Sequence, residues 1–286
     1  MNQVIQNVSD TAFLVAGFRA LESERPEPLF RDPLAWKLAG DHGRKILATV
    51  PKTFVGGWSV VIRTVIIDNF IKEAIEQGVD TILNLGAGLD TRPYRMELPE
   101  TLRWIEVDFP HVIAHKGSRL ADEQPNCRLD RIELDLTDRA SRQRLLAEVS
   151  ESAEKVLVLT EGVVPYLSNS EGSELAGDLR AVEKIRFWIV DYFSPQALRY
   201  GRKLRTRFMR NAPFQFEPTN WFPFFDERRW RASEVSYIAE EAERLGRPIP
   251  LPLRLKLWTT FVGLLASRSR RERMKRFAAY VLLTPR

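Results

Sequence analysis

Two glycines and an acid raise the first chemical possibility. In Thr81–Arg95, TILNLGAGLDTRPYR, an apolar run with Ile82, Leu83 and Leu85 stops at Gly86-Ala87-Gly88. A helical pattern then starts, with Asp90 or Thr91 as candidate N-cap and Pro93 near its first turn. Strand, glycine turn and helix N-terminus together let backbone approach a nucleotide cofactor. A glycine pair alone is also an ordinary tight turn, so the residues after it decide. Asp108 follows Gly86 by 22 residues and closes the run Leu102–Asp108. An acid at that distance is placed to hold ribose hydroxyls. The pattern predicts an adenosine-type cofactor, either a dinucleotide or S-adenosylmethionine. The dinucleotide fingerprint asks for a third Gly or Ala where this chain has Thr91, which counts against NAD.

Other side chains fall at corresponding places. Asp135 and Leu136 follow the strand read at Arg128–Leu134, and Glu161 follows Lys155–Thr160, KVLVLT. Ligands of open α/β sheets collect beyond the carboxyl ends of strands. Arg63 sits early in an apolar helix that leads toward the glycine turn. The three histidines, His42, His111 and His115, are read as structural or solvated, and no metal-ligand spacing stands out.

The elements that would position these groups follow from the apolar periodicity. Thr11–Glu22 and Pro33–Leu38 read as short helices joined by a proline-containing turn, in front of the first strand. They are expected either to cap the cofactor cleft or to pack on the domain as an appendage. Val60–Gly78 reads as a long amphipathic helix with Val61, Val65, Ile66, Phe70, Ile71 and Ile75 on one face. Strands at 81–85, 102–108, 128–134, 155–160 and 186–193 alternate with helices at 111–122, 140–148 and 170–182. Such alternation predicts a parallel sheet with right-handed crossovers. The remainder departs from that rhythm. Gln196–Asn211 reads as a basic helix, and Phe214–Trp230 is dense in aromatics that fill core or line an apolar pocket. Arg231–Tyr237 reads as strand, Ile238–Leu245 as helix and Phe277–Leu283 as the closing strand.

Composition restricts the class. A chain of 286 residues, 44% hydrophobic and 28% charged, is that of a globular protein with one domain plus insertions or a cap. A single cysteine, Cys127, excludes an internal disulfide framework and a cysteine-rich zinc site. The start MNQVIQNVSD lacks a basic region followed by an apolar one, and Leu257–Ala266 is too short to span a bilayer. A cytoplasmic location is therefore expected. Residues 195–286 carry 20 Lys and Arg against 8 Asp and Glu, a net +12, which leaves −7 for the rest of a chain of net +5. The basic clusters read either as solvated helix faces or as attraction for an anionic partner. No nucleic-acid-binding module is recognisable, so none is expected as partner.

Four segments in order, NLGAGLDTR, IEVDFPHVIAHK, ELDLTD and LTEGVVPYL, resemble the leucine carboxyl methyltransferase family, including its bacterial S-adenosylmethionine-dependent O-methyltransferases of polyketide-type and unknown substrates. VVIRTVIIDNFI, the opening TAFLVAGFRALESERPEPLFRDPLA and the tail pattern APFQF, FFDERRWR, FAAYVLL extend the resemblance over nearly the whole chain. It implies an α/β class I methyltransferase fold: a Rossmann-like, mostly parallel seven-stranded sheet with an antiparallel last strand and a helical cap. Residues 1–60 would form the cap. Residues 61–286 would form the cofactor-binding domain, with an insertion over about 195–275. Arg63 would hold the carboxylate of the cofactor's amino-acid part, Gly86 and Gly88 would let it lie on the backbone, and Asp108 would take the ribose hydroxyls. Asp135 and Leu136 would frame the adenine, Glu161 would lie beside the methionine part, and Tyr166 would sit near the transferred methyl as the candidate catalytic residue. Asn84 stands where many methyltransferases have an acid. The implied activity is O-methylation of a carboxylate or hydroxyl on a small molecule. The alternatives are an NAD-type oxidoreductase and a non-catalytic cofactor-binding protein.

Overall fold

The computed structural model describes residues 8–50, 55–199, 213–250 and 275–286. Two helices, α1 (Val8–Ser23) and α2 (Ala35–Thr49), precede the long helix α3 (Gly56–Glu76) and strand β1 (Thr81–Leu85). The chain continues through α4 (Arg92–Arg95), β2 (Arg103–Asp108), α5 (Pro110–Arg119), β3 (Arg128–Glu133), α6 (Arg139–Ser152) and β4 (Val156–Thr160). A 3-10 turn (Val164–Tyr166) leads to α7 (Asn169–Arg180) and β5 (Ile185–Phe193). The last described elements are α8 (Trp221–Asp226), β6 (Trp230–Tyr237), α9 (Ile238–Arg244) and β7 (Ala278–Pro285).

The seven strands form one sheet in the order β3-β2-β1-β4-β5-β7-β6. Strands β1 to β5 pair in parallel, and β7 runs antiparallel to both β5 and β6. The central strands β1 and β4 are buried at every position, which is why they read as continuous apolar runs. Alternation along the strands divides the core in two. Leu83, Leu85, Val158, Trp188 and Val190 pack under α6, α7 and the aromatic segment. Ile82, Trp104, Leu157, Leu159 and Ile189 pack on the other face against α3 and α9.

Several local expectations are corrected. Helix α3 starts at Gly56, and its buried face is Ile62, Ile66, Ile67, Phe70 and Ile71, with Val61 and Val65 only half-buried. Helix α2 does not stop at Leu38. It runs to Thr49 with a break at Gly40, because Ile46 returns to the buried face after the glycine. The helix after the glycine turn is one turn long, since the chain is extended again at Met96 before Pro99. The aromatic segment is mostly core: Trp221, Phe225 and Trp230 are buried, and Phe225 and Trp230 meet Trp188 edge-on with centroids 5.3 and 5.4 Å away. The basic helix expected at Gln196–Asn211 falls largely outside the described residues. Among the described residues no helix is long and apolar enough to cross a membrane.

Candidate functional site

The glycine turn caps β1 and is tied to β2, because the N–H groups of Gly86 and Ala87 both donate to the Val107 carbonyl at 2.8 and 3.0 Å. Gly86 has φ +71°, and a Cβ there would lie 2.4 Å from Val163 Cγ2, so only glycine fits. Gly88 has φ +48°, and its N–H donates to Asp108 Oδ2 at 2.6 Å. The N–H of Phe109 donates to Asp108 Oδ1 at 2.7 Å. Burial pushes the Asp108 carboxyl up, and these two backbone donors only partly offset it.

On the same cleft, Arg63 Nε lies 2.9 Å from Glu161 Oε1. The approach is an ion pair by distance, but the Nε–H is not aimed at the carboxylate and has no hydrogen-bond partner. Arg92 Nη1 donates to Glu161 Oε2 at 2.9 Å. Burial alone would lift Glu161, yet Arg63 and Arg92 outweigh it and hold the carboxyl below its usual range. Burial likewise opposes the Arg63 charge, but Tyr280, Glu161 and Asp191 raise its pKa above the ordinary value.

Asp135 is exposed, and its Oδ1 accepts from the N–H and Oγ1 of Thr137 at 2.9 and 2.7 Å, which shapes the turn after β3. The Leu136 carbonyl accepts from the Arg142 guanidinium. The Tyr166 ring meets Phe214 edge-on, with centroids 5.1 Å apart. Arg63, Gly86, Gly88, Asp108, Asp135, Leu136, Glu161 and Tyr166 all line one cavity of about 460 Å³. Thr11, Ala12, Val15 and Phe18 of α1 form another wall of it. A second cavity of about 380 Å³ is lined in part by Phe193, whose ring meets that of Phe214 at 5.3 Å. Its walls include Asp191, Tyr192, Phe193, Phe216, Trp221 and Phe222.

Sequence reasoning missed the polar scaffold behind this cleft. Arg92 is 2% exposed, with Nε 2.7 Å from Asp68 Oδ1 and Nη1 3.0 Å from Asp90 Oδ2. Asp90 also accepts from Asn84 Nδ2 at 3.0 Å. Thr91, met above only as a departure from the dinucleotide pattern, donates to Asp32 at 2.6 Å. Arg19 donates to the same carboxylate at 2.8 Å and to the Leu89 carbonyl at 2.5 Å, fastening α1 to the glycine turn. Asp191 accepts from Tyr280 Oη at 2.6 Å and from the Gly162 N–H at 3.0 Å, and burial pushes its carboxyl up to about 6. No histidine lines the cleft: His42 pairs with Asp10 at 2.9 Å, and His115 meets the Leu38 carbonyl at 3.0 Å.

A family model described as leucine carboxyl methyltransferase matches residues 12–179. The chain belongs to that family. Curated relatives include proteins of Frankia alni and Streptomyces avermitilis whose names propose S-adenosyl-L-methionine-dependent methyltransferases. They are 34% and 35% identical over 167 and 168 residues, which is 55% of this chain in each case. The matched stretch spans 58% and 59% of those relatives, less than two thirds of their length. Among solved structures, the crystal structure of a duf574 family protein from Streptomyces avermitilis superposes with a TM-score of 0.61 at 13% identity, covering 96% of this chain and 97% of that one. This chain's fold is thus the class I methyltransferase arrangement, with β7 between β5 and β6.

Proposed function

We propose that the protein is an S-adenosylmethionine-dependent O-methyltransferase that acts on a carboxylate or hydroxyl of a small molecule. The observation that carries this reading is the convergence of two sets of anchors on one cavity. Asp108 is held by the Gly88 N–H, and Arg63 and Glu161 face the same space. The residues fit the cofactor. The unpartnered Arg63 Nε–H can serve a carboxylate. In this reading Asp108 takes the ribose hydroxyls, and Asp135 and Leu136 frame the adenine. Gly86 and Gly88 admit the backbone contact, while Arg63 and Glu161 hold the amino-acid end. The matched family and the names of its curated relatives support it.

When bound, S-adenosylmethionine supplies a methyl group on a cationic sulfonium, which is a good leaving group. The protein's task is then chiefly positioning. Tyr166 and Phe214 line the cleft, and Phe214 meets Phe193 of the aromatic cavity, which we take as the acceptor's seat. A carboxylate acceptor is already ionised at neutral pH and needs no base, whereas a hydroxyl benefits from one. We also read residues 1–60 as a cap and 61–286 as the binding domain with an insertion at about 195–275. The α1 side chains on the cleft wall support the first part of that division.

Calorimetry tests the cofactor. S-adenosylmethionine and S-adenosylhomocysteine are expected to bind and NAD is not. Binding of NAD without either adenosyl ligand overturns the assignment. Mass analysis of a metabolite extract treated with methyl-labelled cofactor should show an O-methylated product. Labelling on nitrogen or carbon instead overturns the O-transfer part.

A further inference from the structure

Arg63 and Glu161 reach the cleft, with side chains 19% and 15% exposed. Behind them a closed ring of charges runs through three elements. It starts at Arg63 on α3, crosses to Glu161 after β4, passes to Arg92 after the glycine turn, and returns to α3 at Asp68. Asp90 hangs on the same Arg92 nitrogen that serves Glu161. Arg95 secures Asp68 from the far side at 2.7 Å. Arg92 is the member through which the ring closes, and it is the most buried, at 2% exposure.

Stability is a poor explanation for this arrangement. A guanidinium buried among three carboxylates loses most of its hydration, and apolar replacements of such clusters are often neutral or stabilising. Positioning is the better explanation. A fork of fixed N–H directions holds several acceptors at set angles, which an ammonium does not do. Asp68 and Asp90 orient the fork, and the fork then holds Glu161 Oε2, leaving Oε1 turned toward Arg63.

We propose that Arg92 is a positioning residue for the amino-acid end of the cofactor: it touches no ligand, but sets Glu161 and, through it, Arg63 where that end binds. The inference rests on the cofactor reading above. It predicts a selective defect. S-adenosylhomocysteine and 5′-methylthioadenosine share the adenosine and the thioether, and only the first carries the amino acid. By calorimetry, Arg92→Met should bind S-adenosylhomocysteine roughly tenfold or more weakly, the scale of a lost charged hydrogen bond. Its affinity for methylthioadenosine should change by less than about twofold, since Asp108 and the glycine turn are untouched. Glu161→Gln should give the same selective loss, and the double variant should be no worse than the weaker single one, because both changes break one linkage. If Arg92→Met does not fold, Arg92→Lys carries the same comparison, since it keeps the charge and loses the fork. Equal losses for both nucleosides, or an unchanged S-adenosylhomocysteine affinity in a folded variant, overturn the inference. Failure of the unaltered protein to bind either nucleoside overturns the cofactor reading itself.

Discussion

Asp108 is set before any ligand arrives. Its two oxygens each accept one backbone N–H, from Gly88 and from Phe109, so the carboxylate cannot swing away from the turn. Each carboxylate oxygen has a further lone pair for a ribose hydroxyl. Hydrogen bonds to charged acceptors are the stronger kind, so Asp108→Ala should cost on the order of 2–4 kcal/mol of S-adenosylhomocysteine affinity by calorimetry. An unchanged dissociation constant in the folded variant would remove Asp108 from the site. The pH dependence has a definite sign. Burial raises the Asp108 pKa, and protonation removes an acceptor, so affinity should weaken as pH falls through that raised value. Cys127 takes no part: it is buried, and burial pushes its thiol up to about 12.

At the scale of elements, the turn between β1 and α4 works only because one position lacks a side chain. Gly86 combines a left-handed backbone, φ +71°, with a Cβ position 2.4 Å from Val163 Cγ2. Gly78, at the turn before β1, has φ +87° and nothing within 4 Å of its Cβ position. The two separate strain from crowding. Gly78→Ala should cost only the backbone term, roughly 1–2 kcal/mol. Gly86→Ala adds overpacking of about 1–3 kcal/mol and displaces Val163, so it should also weaken cofactor binding. Urea unfolding of the two variants measures the difference. Equal losses would show that Val163 simply moves aside.

The whole molecule carries its pH sensitivity partly in Asp191, which joins β5, β7 and the loop after β4 through Tyr280 and Gly162. Arg63 and Glu161 also face it, and burial places its pKa at about 6 against an ordinary 3.8. The folded state therefore binds the proton more tightly than the unfolded chain. Its cost to stability is absent below about 3.8, grows as pH rises to about 6, and is constant above. At 1.36 kcal/mol per unit the full effect is about 3 kcal/mol. Asp191→Asn should remove that slope and leave a pH-independent offset from the altered Gly162 contact. In urea unfolding, the unaltered protein should lose about 2 kcal/mol of that full effect relative to the variant between pH 4 and 6. A parallel pair of curves would mean that Asp191 stays ionised throughout.

Much of this architecture is local in the chain and so was legible there. Strands β1 and β4 announce themselves because parallel central strands are buried on both faces and must be apolar throughout. The glycine turn and Asp108 are legible for the same reason: a backbone requirement and a strand end recur at a set spacing. Their meeting in one cavity with Arg63, Asp135, Leu136, Glu161 and Tyr166 follows once the strands lie side by side. The charged scaffold is different. Arg92 finds Asp68 across 24 residues and Glu161 across 69, and Tyr280 finds Asp191 across 89. In sequence such charges look like solvated side chains, since nothing in their spacing tells a buried partner from water. The aromatic segment was equally ambiguous, because Phe222 on a cavity wall and Phe225 in the core are the same residue type three positions apart. Burial decides both cases. It belongs to the packing of α3, α4, α8 and the sheet together, and so only the tertiary structure could assign it.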